Sequence, residues 1–344
     1  MSIPINRRQF VRRLAAAGFG TLAASGLLSG CKATPIATEV PPTQLPTTIP
    51  SPLATLSSPT PAAALTPTAA AAAEYPHLVV ATGADPAQLV RHAMAALGGM
   101  GQFVRPGNDV IVKPNICVAY HTYEYAATTN PWVVAELVRM CLEAGARRVR
   151  VMDQPFGGTA EEAYKRSGIQ DQVVAAGGVM EVMARYKFVS SPIAGGVDLK
   201  EWEFYDDALN ADVVIDVPIA KHHGLARLTL GMKNIMGLIT NRSGMHRDLG
   251  QRLAEITSRV RPQLTVIDAV RILMANGPTG GNLADVKKMD TLIVSPDIVA
   301  ADAMGATLFG LKPSDIACVP AGVRMGLGRS DLENLAIERL VVGT

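Results

Sequence analysis

From His77 onward, short β-branched runs alternate with segments of helical period, the pattern of an α/β chain. Leu78 to Ala81, Asp109 to Val112 and Arg148 to Met152 predict strands. Further strands are expected at Glu201 to Tyr205, Ala211 to Val217, Leu264 to Ile267 and Thr291 to Val294. Helices are expected at Pro86 to Leu97, Pro131 to Ala144, Ala160 to Ser167, Arg247 to Val260 and Ile298 to Leu308. Asp85 and Asn130 stand where a side-chain oxygen caps a first turn, Pro131 where a missing N–H costs nothing, and Gly145 where a left-handed residue stops a helix. The fold class that follows is α/β: a largely parallel, mixed sheet with helices on both faces, in a single main domain.

The first 74 residues break this pattern. Residues 1–30 carry Arg7-Arg8 with Phe10 two residues on, then a mildly apolar stretch from Leu14 to Leu28 that is too short to span a bilayer stably. This resembles a twin-arginine export signal. It runs into Leu28-Ser29-Gly30-Cys31, which resembles a bacterial lipobox and makes Cys31 the expected lipidation site. Residues 31–74 hold nine prolines between Pro35 and Pro67 among Ala, Thr and Ser, so this segment is expected to be a tether. At about 3.1 Å per residue it reaches on the order of 100 Å. The folded domain is then residues 75–344, held on the outer face of a bacterial cytoplasmic membrane.

Composition narrows the function classes. Hydrophobic residues make up 48% of the chain, charged residues 18% and aromatics 5%, which is globular and excludes both disorder and a membrane bundle. The formal charge of +2 counts Arg7, Arg8, Arg12 and Arg13, and becomes −2 once they are removed with the signal. No basic footprint for nucleic acid remains. Cys31, Cys117, Cys141 and Cys318 are too scattered for a CxxC metal or redox pattern and too few for a disulfide framework.

In open parallel sheets, ligands sit beyond the carboxyl ends of the strands. Charged or imidazole groups are expected at four such ends: Lys113-Pro114-Asn115, Asp153, Lys221-His222-His223 and Asp268. Lys113, Lys221 and Lys233 converging on one crevice would favour a carboxylate or phosphate. Lys233 interrupts the apolar run Leu230 to Ile239, so its ammonium either meets an anionic ligand or pairs with Asp153 or Asp268. His223 and His246 with Asp268, joined by His121, His222 and Asp153, could assemble a metal site; alternatively one imidazole shuttles protons while the lysines hold substrate. Asn276 to Gly281 reads either as a turn or as a loop whose amides approach an anion at Gly277 and Gly280. Cys117 reads as a nucleophile or a small buried residue, and Cys141 as core.

Lys113-Pro114-Asn115, Glu143-Ala144-Gly145-Ala146 leading to Val151-Met152-Asp153, Pro218 to His223, Thr229 to Gly237, His246, and Asp268 followed by Asn276 to Gly280 together resemble the domain-of-unknown-function 362 family over about residues 78 to 340. The resemblance implies no assigned activity. Some members of that family are joined to ferredoxin-like iron–sulfur modules, but this chain has no cluster-type cysteine run and is not expected to hold a cluster of its own.

The expectation is therefore a membrane-anchored, cofactor- or metal-assisted enzyme acting on a small anionic substrate. His223, Lys233 and Asp153 would be catalytic, and Lys113, Asn115, Lys221, Asn234, Gly277 and Gly280 would hold substrate. The competing class is a lipoprotein that captures an anion or metal without chemistry. Expected partners are the membrane through Cys31, the twin-arginine export machinery and a small anionic ligand.

Overall fold

A computed structural model describes residues 75–343. The expected signal, Cys31 and the tether lie outside the described residues. The strands are β1 (Leu78–Thr82), β2 (Asp109–Pro114), β3 (Arg148–Val151), β4 (Val179–Met180), β5 (Phe188–Pro192), β6 (Glu201–Tyr205), β7 (Val213–Val217), β8 (Ile219–His223), β9 (Arg227–Thr229), β10 (Leu264–Leu273), β11 (Val286–Ser295) and β12 (Ile337–Val341). The helices are α1 (Pro86–Ala96), α2 (Pro131–Glu143), α3 (Ala160–Arg166), α4 (Ile169–Ala175), α5 (Asp206–Asn210), α6 (Gly231–Asn234), α7 (Leu249–Val260), α8 (Ile298–Thr307) and α9 (Cys318–Arg324).

The main sheet has the order β12-β1-β11-β10-β7-β2-β3-β4, with β8 pairing β10 and β9. Strands β4, β3, β2, β7 and β10 run parallel. β11 is antiparallel to both β10 and β1, which makes the sheet mixed. β5 and β6 form a separate antiparallel pair.

Both faces of this sheet are covered, and the strand residues divide between them with period two. Val110 and Val112 of β2, Ile215 of β7 and Leu292 and Val294 of β11 pack with Leu89, Val133 and Ile169 from α1, α2 and α4. Ile111, Val214 and Ile293 face the other way, onto Leu253, Val299 and Val319 from α7, α8 and α9. Each such aliphatic side chain, once buried, contributes roughly 1.5–3 kcal/mol, so a strand slipped by one residue would exchange both cores.

Local signals hold at the helix ends. Asp85 accepts the N–H groups of Ala87 and Gln88 at 2.8 and 3.3 Å, and Asn130 accepts that of Trp132 at 3.0 Å. Gly145 has φ of +92°.

Several expected boundaries are corrected. The strand expected at Ala211 to Val217 is β7, and after Pro218, which lacks the N–H a continuous ladder needs, a second strand that was not expected, β8, runs from Ile219 to His223. Lys221 to His223 consequently lie inside β8 and not in a loop beyond a strand. Asp268 sits in the middle of β10, which extends to Leu273. Residues 242–248 form 3-10 turns before α7 begins, and α4 follows α3 after a break at Gly168, whose φ is +78°.

Candidate active site

The carboxyl ends of β2 and β3, together with β8 and α6, enclose a cavity of about 370 Å³. Of the residues expected at a site, it is lined by Asn115, Asp153, Lys221, His223, Lys233, Asn234, His246 and Gly277. Lys113, Asp268 and Gly280 do not line it.

Lys113 lies fully buried beneath the floor, where its ammonium donates to Asp153 Oδ1 at 2.8 Å, the carbonyl of Pro114 at 2.8 Å and Asn234 Oδ1 at 3.0 Å. Three donors meet three acceptors, so Lys113 has no hydrogen left for a substrate. Asp153 also accepts the N–H groups of Ile116 and Gln154 at 2.6 and 2.8 Å. A methyl group on Gly237 would fall 1.9 Å from Asp153 Oδ1 and 2.7 Å from Lys113 Nζ, so the glycine is what lets the backbone approach this ion pair.

The two asparagines complete the floor. Asn115 donates to Asn234 Oδ1 at 2.8 Å, while Asn234 donates to Asp216 Oδ1 at 2.8 Å and to the Lys113 carbonyl at 3.2 Å. Burial pushes the Asp216 carboxyl well above its usual range, and its Oδ2 has no partner among the described residues. Both asparagines touch the cavity while their amides serve the scaffold.

Lys221 behaves like Lys113. It donates to Asn115 Oδ1 at 2.9 Å and to the carbonyls of Ala127 and Pro278 at 2.7 and 2.9 Å, and burial lowers its pKa. It contributes charge to the cavity and braces the 276–281 loop. That loop is no anion cradle at the expected glycines. The Gly277 N–H donates to His222 Nδ1 at 3.2 Å and the Gly280 N–H to the Asn276 carbonyl at 3.1 Å. A Cβ on Gly277 would sit 1.8 Å from the His222 carbonyl oxygen, so that glycine is there for close packing.

Lys233 differs from both. Its half-buried ammonium reaches the cavity with no hydrogen bond or ion pair among the described residues. Burial first, then the neighbouring charge of Lys221, pushes its pKa down to about 8. Neither internal partner expected from the sequence reaches it: Asp153 pairs with Lys113, and Asp268 accepts the N–H groups of Asn130 and Val270 at 2.7 and 3.0 Å. Of the two alternatives for Lys233, the internal pairing is therefore excluded. Its helix α6 is held by Asp302 on α8, whose oxygens accept the N–H groups of Gly231 and Met232 at 2.6 and 3.0 Å. Burial pushes Asp302 up to about 7.

His223 is a neutral donor. Its Nδ1 accepts the N–H groups of Leu225 and Ala226 at 3.1 and 3.2 Å, and burial, with Lys233 nearby, pushes the imidazole down to about 3. With Nδ1 held as acceptor, the ring proton resides on Nε2. A metal at Nε2 would displace that proton while Nδ1 remained blocked, so His223 does not fit the role of ligand, nor that of a proton shuttle near neutral pH. Asp268, in turn, is buried in β10 and bonded to backbone. Among the described residues no three His, Cys, Asp or Glu side chains form a group able to hold an ion, and the expected trio His223, His246 and Asp268 is corrected accordingly. His121 stacks on Tyr125 instead, with ring centroids 4.6 Å apart.

Lys113 and Asp153 neutralise one another, and Lys221, Lys233 and Arg242 leave the cavity cationic. Arg242 was not singled out from the sequence; it lines the cavity while donating to the carbonyls of Gln154 and Pro155 at 2.9 and 3.1 Å. Asp216 and Asp302 were also missed, although each is a lone carboxylate within an apolar run, Val213 to Val217 and Ile298 to Thr307, and that is a legible signal. Cys117 lines the cavity, is buried, and donates its thiol to the Pro278 carbonyl at 3.5 Å. Cys141 is core, its thiol pushed up to about 12 by burial alone.

Fold and site define an α/β protein with a cationic cavity at the carboxyl edge of a mostly parallel sheet. The chain belongs to the family described as Domain of unknown function (DUF362), whose model matches residues 110–307. A thylakoid-associated protein of Synechocystis is 28% identical to it over 254 residues, 71% of this chain and 76% of the relative. Among solved structures, the lactate racemase apoprotein from Thermoanaerobacterium thermosaccharolyticum aligns with a TM-score of 0.43 at 12% identity over 67% of this chain and 56% of its own. A Thermotoga maritima protein aligns with a TM-score of 0.34 at 14% identity over 54% of this chain and 51% of its own. The chain thus spans little more than half of either solved structure.

Proposed function

We propose that the protein is an enzyme acting on a small anionic substrate, anchored through Cys31 to the outer face of the membrane after twin-arginine export. The observation that carries this reading is the ammonium of Lys233, which lines the cavity and, unlike those of Lys113 and Lys221, has no partner among the described residues. An amine with a pKa of about 8 exists in both protonation states near neutral pH, which is what general acid–base chemistry requires and what mere capture does not. In this reading Lys221 and Arg242 supply field, the Nε2–H of His223 donates to the substrate or to the charge that develops on it, and Asp153 fixes the floor through Lys113. A membrane location agrees with the name of the thylakoid-associated relative.

The test is turnover. Protein purified after native export is incubated with a pool of small organic acids and phosphate esters, and conversion is followed by NMR beside Lys233→Met. Conversion by the parent and none by the variant is expected. An anion retained by the parent without conversion would replace the enzyme reading with that of a binding lipoprotein. Metal and cofactor analysis of the same preparation reads out what, if anything, is exported with it.

A further inference from the structure

Once the groups occupied by the scaffold are set aside, the cavity retains a small set of unused donors. Lys233 Nζ and the Nε2–H of His223 are two of them. A third is Thr229, which lies on β9 directly across from Lys221 and is 2% exposed, with its Oγ1 buried and without a partner among the described residues; His246 and the amide of Gln154 line the cavity as well. A buried hydroxyl left unpaired is costly, and native structures leave few of them. Thr229 lines the cavity, so a bound group is the available partner.

One side of the lining is apolar. Ile116, Met236 and Pro278 form the wall, and Phe156 and Leu225 stand at the cavity with 72% and 68% of their surface exposed. A single exposed apolar side chain is ordinary, but two large ones on the lining of one cationic cavity are a recognition pattern.

We infer that the cavity takes an amphiphilic carboxylate, its head group received by Thr229, His223 and Lys233 and its apolar body covered by Phe156, Leu225 and Met236. This rests on the anionic-substrate reading above and specifies the substrate class. The hydroxyl and the imidazole N–H are two neutral donors beside one amine, a set suited to the two oxygens of a carboxylate. An apolar body of several carbons displaces water from Phe156 and Leu225, and each methylene so buried should tighten binding about 4-fold.

The experiment is isothermal titration of the full chain with butanoate, octanoate, octanol and inorganic phosphate. Octanoate should bind at least about tenfold more tightly than butanoate, and octanol should bind weakly. Thr229→Val should weaken both carboxylates several-fold. Phe156→Ser with Leu225→Ser should erase the advantage of octanoate over butanoate; these side chains are exposed, so the fold is not at stake. Equal affinity for butanoate and octanoate, or tightest binding of phosphate, would overturn the amphiphile inference while the anion site stands. Octanol matching octanoate would overturn recognition of the head group. Failure of both carboxylates and phosphate to bind would instead remove the anionic-substrate reading on which the inference rests.

Discussion

Asp302 receives the backbone N–H of Gly231 at 2.6 Å, a contact between α8 and the first residue of α6 that aims Lys233 into the cavity. The cap depends on a missing side chain, because a Cβ on Gly231 would lie 2.9 Å from Asp302 Oδ1 and 2.8 Å from Ile298. Gly231 and Gly237 thus bracket Lys233, one for its helix cap and the other for the ion pair beneath.

Asp302→Ala should destabilise the fold by about 1–3 kcal/mol, since two buried N–H groups lose their acceptor. The carboxyl has a folded pKa of about 7 against an ordinary 3.8, so the native state holds its proton more tightly. Its contribution to stability is therefore full at low pH and falls as pH rises from 3.8 to about 7. Thermal unfolding across pH 4 to 8 should show a shallower decline in Asp302→Asn; an identical slope would remove Asp302 as its source.

His223 acts in the opposite direction. Its folded pKa of about 3 lies below the ordinary 6.5, so the unfolded chain binds the proton first and stability falls as pH drops below 6.5. His223→Gln should flatten this acid limb by about 1–3 kcal/mol at pH 4. Chemical denaturation at pH 4 and pH 7 checks it, and a limb of unchanged depth would place the titration elsewhere.

Lys233 and Lys113 should respond oppositely to the same substitution. Lys233→Met removes an unpaired ammonium and should stabilise the protein by about 1–3 kcal/mol at neutral pH. The parent should regain that difference as pH rises from about 8 to 10.5, because there the unfolded state binds the extra proton. Lys113→Met strands the Asp153 carboxylate and should cost about 3–5 kcal/mol. Urea unfolding of the two variants reads both signs directly. Destabilisation of equal size in each would mean that Lys233 is paired.

Cys31→Ala should move the protein from the membrane fraction to the soluble extracytoplasmic fraction without changing its melting temperature, and Arg7→Lys with Arg8→Lys should block export. Fractionation and blotting are sufficient. Full retention of Cys31→Ala in the membrane would end the lipoprotein reading.

The sequence by itself determined the α/β class, the alternation of strand residues between two cores, and the capped ends of α1 and α2. Those depend on side-chain period and on neighbours within a few positions. It also placed Lys113 and Asp153 at strand ends, because an apolar run stops at each. It misplaced Lys221 by missing the strand that resumes after Pro218, and Asp268 by ending β10 at Ile267; a proline break and the long antiparallel pairing of β10 with β11 decide those boundaries. Only the tertiary structure decided which lysine is available. Lys113, Lys221 and Lys233 look alike in the chain, and what separates them is how many of their three donors find acceptors. All but one of those acceptors, the Pro114 carbonyl beside Lys113, come from remote segments: Asn234 is 121 residues from Lys113, and Asn115 is 106 from Lys221. Saturation of a buried ammonium is a count of partners in space, and three of them close around Lys113 and Lys221 while Lys233 keeps its charge for the cavity.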